Sequence, residues 1–164
     1  MPMKKIKNPF TSMDSSRKEY NCFGCSPFNE IGLQLEFWEN GEELMARWKP
    51  KKSLEGWSGV LHGGIMASLV DELAGWIVLI KMETSGVTAD MNVKYLKPVY
   101  ISKGEVTVRG KLLSYENRLA AIECSLFDGE DEECVKAKLK YFCFPEKIAP
   151  AKYHYPGINA FYED

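Results

Sequence analysis

From Gly63 to Ile80 the chain reads GGIMASLVDELAGWIVLI, apolar at almost every position, with Ser68, Asp71 and Glu72 the polar side chains inside it. Such a run exceeds an ordinary strand. As a helix it is apolar on nearly every side, so the pattern predicts a buried helix over 63–81. On both sides of it the period shortens. Leu33–Trp38 (LQLEFW) and Glu43–Trp48 (ELMARW) flank Asn40-Gly41, a strong hairpin signal. Gly86–Tyr100 alternates, placing Val87, Ala89, Met91, Val93 and Tyr95 on one face of a long strand. Glu105–Leu113 and Leu119–Phe127 follow, joined through Tyr115-Glu116-Asn117. After the acidic turn Asp128–Glu133, Cys134–Phe144 alternates again with Lys136, Lys138 and Lys140 outward. The order is β-β-α-β-β-β-β. One apolar helix among antiparallel strands predicts an α+β fold, a sheet of about six strands curled around a central helix, with a long edge strand free to pair with a second copy. Residues 1–28, polar and broken by Pro9 and Pro27, are an N-terminal tail or clasp; 29–144 form one domain; 145–164 form a C-terminal tail held on the surface.

Composition narrows the function classes. A chain of 164 residues with 45% apolar and 27% charged side chains suits one soluble domain with one core. A net charge of −2 provides no general basic surface, so no nucleic-acid partner is expected. The opening MPMKKIKNPF has no apolar run behind its lysines and does not read as a signal peptide. The 63–80 run is long enough to span a bilayer, but two adjacent carboxylates near its centre argue against insertion. The five cysteines, at 22, 25, 124, 134 and 143, are odd in number and scattered. That is not a disulfide framework, and free thiols suit a reducing compartment, with the cytoplasm expected.

Two features carry chemistry. His62-Gly63-Gly64 stands directly before the apolar run. Glycines let a substrate approach the backbone, and a helix N-terminus offers N–H donors and the positive dipole end to developing negative charge. The plainer reading is a capping histidine and a glycine turn. Asp71 and Glu72 form the second feature. A buried carboxylate is costly unless paired, hydrogen-bonded or protonated, so each is either structural or functional. Being about 100° apart around a helix, they face different directions. Along the helix, Gly64 and Asp71 are about 10 Å apart at about 1.5 Å per residue. One carbonyl cannot touch both, so an acyl-transfer site using both draws them from different subunits of a dimer.

Cys22-Phe23-Gly24-Cys25 has half of a zinc-ribbon spacing, but no second Cys-x-x-Cys exists, and ordinary loop packing is expected with no metal. Lys94, Lys97 and Arg118 flank predicted strand ends where cations meet phosphates. Trp57, Met66, Trp76 and Tyr95 are candidates for an apolar wall, though large apolar residues are more often core.

Several blocks stand in order along the chain: Asn21-Cys22-Phe23-Gly24-Cys25, Asn29-x-x-Gly32-Leu33, Glu55-Gly56-Trp57-x-Gly59-Val60-Leu61-His62-Gly63-Gly64, Leu69-Val70-Asp71-Glu72-x-x-Gly75-Trp76 and Thr88-Ala89-Asp90-Met91-Asn92-Val93-x-Tyr95-Leu96-x-Pro98. Together they resemble the PaaI-like hotdog-fold acyl-CoA thioesterases of the wider 4-hydroxybenzoyl-CoA thioesterase superfamily. The resemblance covers about 20–144. It implies a long helix wrapped by an antiparallel sheet, a homodimer or a tetramer built from dimers, sites at the dimer interface, an acyl-CoA substrate and no cofactor. It implies that the Gly64 N–H, with Gly63 and His62 nearby, polarises the thioester carbonyl. Asp71 of the other subunit would then act as base or nucleophile, and Thr88 would position water. Glu72 is the reserve acid, because other branches use a glutamate. Some relatives carry an asparagine six residues before the histidine, where this chain has Gly56. Substrate contacts are expected from Trp57, Asn92, Lys94, Tyr95, Lys97 and Arg118. A non-catalytic acyl-CoA-binding protein and a hydratase or dehydratase of the same fold are the competing classes.

Overall fold

The computed structural model describes residues 2–12 and 20–162, so parts of both terminal segments lie outside it. Helix α1, Gly63–Lys81, sits at the centre. Leu69, Val70, Leu73, Ala74, Ile77 and Val78 lose all exposure, as a helix apolar on every side requires. One antiparallel sheet wraps it. The strands are β1 (Lys4–Ile6), β2 (Glu36–Asn40), β3 (Glu43–Trp48), β4 (Gly86–Tyr95), β5 (Val106–Glu116), β6 (Leu119–Phe127) and β7 (Glu133–Cys143). Their order across the sheet is β1-β2-β3-β5-β6-β7-β4, and α1 packs on β3 to β7. The helix boundaries match those predicted from the apolar run. The sheet has seven strands rather than about six, because β1 adds to β2 from within the N-terminal segment.

The departures have local causes. Strand β2 begins at Glu36, not Leu33, because Gln34 is left-handed (φ 53°) and the N–H groups of Leu33 and Leu35 donate to Phe23 and Gly24 carbonyls instead of to a strand neighbour. Asn40 pairs with Glu43, so the loop is Gly41-Glu42, with Gly41 at φ 63°. Glycine at the first loop position is the requirement of a type II′ turn. The β5–β6 turn is Asn117-Arg118, both left-handed, one position later than the sequence suggested.

Strand β4 stops at Tyr95 instead of Tyr100. Pro98 lacks an N–H and restricts the residue before it, while Leu96 and Lys97 turn their N–H groups to the Cys134 carbonyl. Its single-face reading is also corrected. Thr88 pairs with Tyr141 and Asp90 with Lys140, leaving Ala89 as a β-bulge. Register therefore inverts at Ala89: Thr88 shares the inner face with Tyr141, whereas beyond the bulge Met91, Val93 and Tyr95 take that face. Val87 lies outside. The strand is a free edge, and Val87, Met91 and Tyr95 remain 44%, 38% and 50% exposed.

The C-terminal segment goes deeper than a surface tail. Short helix α2, Ala149–Tyr153, leads to Phe161, which is fully buried edge-on to Trp76 and Phe10. Trp76 in turn stacks on Phe37 at 4.4 Å, placing it in the core rather than in a substrate wall. Removing the Phe161 ring takes away its contacts with Phe10, Trp76 and Tyr155. Phe161→Ala is expected to destabilise the fold by about 3–5 kcal/mol in denaturant unfolding; a loss below 1 kcal/mol on that scale would mean the segment is only draped over the surface.

Candidate active site

The residues before α1 are held from two directions. His62 N–H donates to the Leu54 carbonyl, Leu61 N–H to Val99, and Gly59 N–H to the Glu55 carboxylate at 2.9 Å. His62 is the N-cap: its Nδ1 accepts from Gly64 N–H at 2.9 Å, and its carbonyl takes the N–H groups of Ile65 and Met66. This revises the expected donor. Gly64 N–H already has a partner, whereas Gly63 N–H has none among the described residues. With Nδ1 accepting, a neutral His62 carries its hydrogen on Nε2, a second donor. The Gly63 carbonyl accepts from the Tyr95 hydroxyl at 2.8 Å, fixing the inner end of β4 to the helix start.

These groups open onto a cleft of about 760 Å³ lined by Gly56, Trp57, His62, Gly63, Met66 and the 95–98 segment. Of the predicted substrate contacts, Trp57, Tyr95 and Lys97 line it. Asn92 and Lys94 do not: they pair with Lys138 and Lys136 on the outer face of the sheet. Arg118 is in the β5–β6 turn, its carbonyl bonded to Cys143 N–H, at the end of β7 remote from Tyr95.

Asp71 lies two turns along α1, half-buried. The Thr88 hydroxyl donates to Oδ1 at 2.8 Å, and the Tyr141 hydroxyl reaches Oδ1 at 2.6 Å and the Asp71 carbonyl oxygen at 2.7 Å. Among the described residues no hydrogen bond reaches Oδ2. Thr88 thus turns its hydrogen to the carboxylate. Tyr141 was absent from the sequence reading, yet a signal existed. On the inner face of β7 (Val135, Ala137, Leu139, Tyr141, Cys143) it is the residue with a polar tip, and a buried tyrosine hydroxyl needs a partner. Burial, and then the Asp71 charge, push the Tyr141 hydroxyl well above the usual tyrosine range, so it stays a donor.

Glu72 faces elsewhere. It accepts from the Cys22 thiol at 3.4 Å and from Trp76 Nε1 at 3.3 Å, in a cavity of about 670 Å³ shared with Cys25, Ser85 and His154. Burial, then the neighbouring Cys22, push it up to about 7. It shares no hydrogen-bond partner with Asp71 among the described residues and does not line the cleft at the helix start.

A long apolar helix wrapped by one antiparallel sheet, with a polar cluster at a free strand edge, is the hotdog class of α+β protein. A model of the Thioesterase superfamily matches residues 58–135. "Putative esterase SSO1253" of Saccharolobus solfataricus is 32% identical over 111 residues, 67% of this chain and 72% of that protein. Mouse acyl-coenzyme A thioesterase 13 is 30% identical over 80 residues, 48% of this chain and 56% of that protein. A Streptococcus pneumoniae TIGR4 hypothetical thioesterase, solved with coenzyme A, superposes with a TM-score of 0.58 at 21% identity, covering 63% of this chain and 79% of its own. The chain belongs to the thioesterase superfamily, and its class of activity is thioester hydrolysis.

Tyr141→Phe leaves the ring in place and removes the hydroxyl on Asp71. We expect it to lower unfolding stability by about 1–3 kcal/mol, the range for an abolished buried hydrogen bond, read from the denaturation midpoint at unchanged slope. An unchanged midpoint would show that the hydroxyl does not hold the carboxylate in solution.

Proposed function

We propose that this protein hydrolyses acyl-CoA thioesters to a carboxylic acid and CoA at sites built by two copies of the chain. The observation that carries this reading is Asp71: Oδ1 is anchored twice, while Oδ2 is open beside an unpaired sheet edge. The similarity to a mouse acyl-CoA thioesterase, and to a fold solved with coenzyme A, supports the choice of substrate.

The edge strand supplies the geometry. Within one chain β4 runs from Thr88, beside Asp71, to Tyr95, beside Gly63. A second β4 pairing antiparallel across the edge reverses that order. Centred between Thr88 and Tyr95, near Met91 and Asn92, the pairing brings one copy's Asp71 opposite the other's His62 and Gly63. The exposed Val87, Met91 and Tyr95 are covered by the same act. This meets the constraint that a helix keeps its own start and its own Asp71 about 10 Å apart.

In the reaction, Gly63 N–H, the His62 Nε2–H and the helix dipole receive the carbonyl oxygen as it becomes negative. Oδ2 of the other copy's Asp71 removes a proton from water, whose oxygen bonds to the acyl carbon; alternatively Oδ2 itself forms that bond, giving an anhydride that water then opens. In both routes the C–S bond breaks, and the thiolate leaves and takes up a proton. Thr88 and Tyr141 hold Oδ1 so that Oδ2 keeps its aim. Water is the co-reactant and no cofactor enters. The apolar cleft wall of Trp57, Met66 and Tyr95 would receive the acyl or pantetheine portion, and Lys97 at its rim would meet a phosphate.

Thiol release from aryl-, short-, medium- and long-chain acyl-CoAs tests the proposal. Asp71→Asn keeps an acceptor for Thr88 and Tyr141, so the fold and melting temperature are expected to be retained while kcat falls by about 100- to 10,000-fold. Near-normal turnover in Asp71→Asn would overturn the assignment, and acyl-CoA binding without thiol release by the wild type would favour the binding-protein reading. Sedimentation of the wild type is expected to give a dimer or a multiple of it, and Met91→Lys, which puts a charge on the edge, to shift it toward monomer with loss of turnover. An active monomer would rule out composite sites.

A further inference from the structure

On the side of α1 away from Asp71, the fold assembles a donor set that neither thioester chemistry nor packing requires. Cys22 Sγ, Cys25 Sγ and a Glu72 carboxylate oxygen all lie within 4.8 Å of one another. We propose that these three side chains bind a zinc-like divalent cation, which fastens the N-terminal clasp to the central helix.

The spacing fits such an ion. Tetrahedral Zn²⁺ with Zn–S near 2.3 Å and Zn–O near 2.1 Å sets sulfur and oxygen roughly 3.6 Å apart. The Cys22 Sγ to Glu72 Oε1 separation is 3.4 Å. The 22–25 loop is a tight turn that sets both sulfurs on the side of Glu72, with Ser26 N–H closing it on the Cys22 carbonyl at 3.1 Å. A Cβ at Gly24 would stand 2.2 Å from the Glu72 carboxyl carbon, so a larger residue there would push the carboxylate away from the two sulfurs. The glycine lets the loop close down on the carboxylate.

Outer partners are also in place. Trp76 Nε1 donates to Glu72, and the Tyr20 hydroxyl lies 2.7 Å from Cys25 Sγ, with Asn8 Nδ2 donating to Tyr20 in turn. Groups of this kind orient metal ligands and hold their charge. The fourth position opens to the cavity that Ser85 and His154 also line. Ser85 Oγ is the one buried side-chain polar atom without a hydrogen-bond partner among the described residues, and a water on the metal would give that cavity a polar occupant. Two thiolates and a carboxylate select a borderline-soft cation such as Zn²⁺ over Mg²⁺ or Ca²⁺.

A Cys22–Cys25 disulfide is the rival state of the same atoms. It would remove the thiol hydrogen that Glu72 accepts and leave this buried carboxylate with Trp76 alone. The cation satisfies all three groups at once, so the geometry favours it. The sequence pointed away from a metal because the third ligand arrives from the core helix, outside any Cys-x-x-Cys spacing.

The full chain, prepared with reductant and Zn²⁺ and then passed into zinc-free buffer, is expected to retain one zinc per chain by elemental analysis. Replacing Zn²⁺ with Co²⁺ is expected to produce thiolate-to-cobalt absorption. Cys22→Ser is expected to lose both signals. Glu72→Gln, close in size and still able to accept from Trp76, is expected to weaken Zn²⁺ at least about tenfold in competition with a chromophoric chelator. Circular dichroism on each variant separates loss of metal from loss of fold. Folded wild type that retains no zinc, equal zinc in Cys22→Ser, Co²⁺ without a thiolate band, or a Cys22–Cys25 bond persisting under these conditions, seen as a mass short by two hydrogens, would each overturn the proposal.

Discussion

The burial of α1 governs everything else in this molecule. A helix apolar on nearly every side cannot lie on a surface, so the sheet must curl around it, and β3 to β7 all touch it. Sheet wrapping is one-sided, however. The α1 residues not covered by the strands need other partners, and the terminal segments supply them: Phe10 from one end of the chain and Phe161 from the other pack edge-on against Trp76, and Tyr155 reaches Leu79. The Tyr155 hydroxyl even donates to the Leu79 carbonyl on the helix. Both terminal segments are consequences of the helix's composition.

The same requirement explains how much could be read beforehand. β1 and α2 carried no clear signal, but the helix limits, the bounds of β3 and β6 and the order from β2 to β7 follow from period and turn chemistry, because the strands bury a face against α1. β6 shows this strictly, with Ala120, Ile122, Cys124 and Leu126 buried and the intervening residues half-open. The pattern misleads where a backbone irregularity intervenes. The apolar residues Leu33, Leu35 and Phe37 are all buried as strand periodicity demands, yet Gln34 breaks the ladder and hands its neighbours' N–H groups to the clasp. Side-chain period records burial; it does not record which backbone receives the hydrogen bonds.

In β4 that distinction reaches the site. Without the Ala89 bulge, one uninterrupted face would hold either Thr88 or Tyr95 inward, but not both. The extra residue inverts the phase between them, so Thr88 meets Asp71 and Tyr95 meets Gly63 on the same inner face. Residues six or eight apart could have shared a face by simple alternation, but Thr88 and Tyr95 are seven apart. An odd separation between two residues that must face one way is a bulge signal, visible only once their partners are known. Asp71 and the His62–Gly63 start were legible as types of residue at suggestive spacings, whereas Thr88 came only from the family resemblance. Tyr141 and the identity of the unpartnered donor, Gly63 rather than Gly64, required the register and the cap geometry.

Asp71 and Glu72 are chemically near-equal and adjacent, yet a step of about 100° around the helix sends them into unlike surroundings. Asp71 meets two hydroxyl donors at one oxygen and leaves the other open toward a free strand edge. Glu72 meets two thiols and an indole within the fold's own clasp. Two hydroxyl donors on one oxygen orient the carboxylate, which suits a group that reaches outward with the other. Thiols give weak hydrogen bonds and compete for the same negative charge, which suits a group awaiting a positive partner. The helix thus assigns one acid to the outward edge and one to the clasp, and the two assignments are independent. An ion at Glu72 would hold the chain together whether or not thioester chemistry occurs at Asp71, and Asp71 keeps its donors from β4 and β7 whether or not the clasp is loaded.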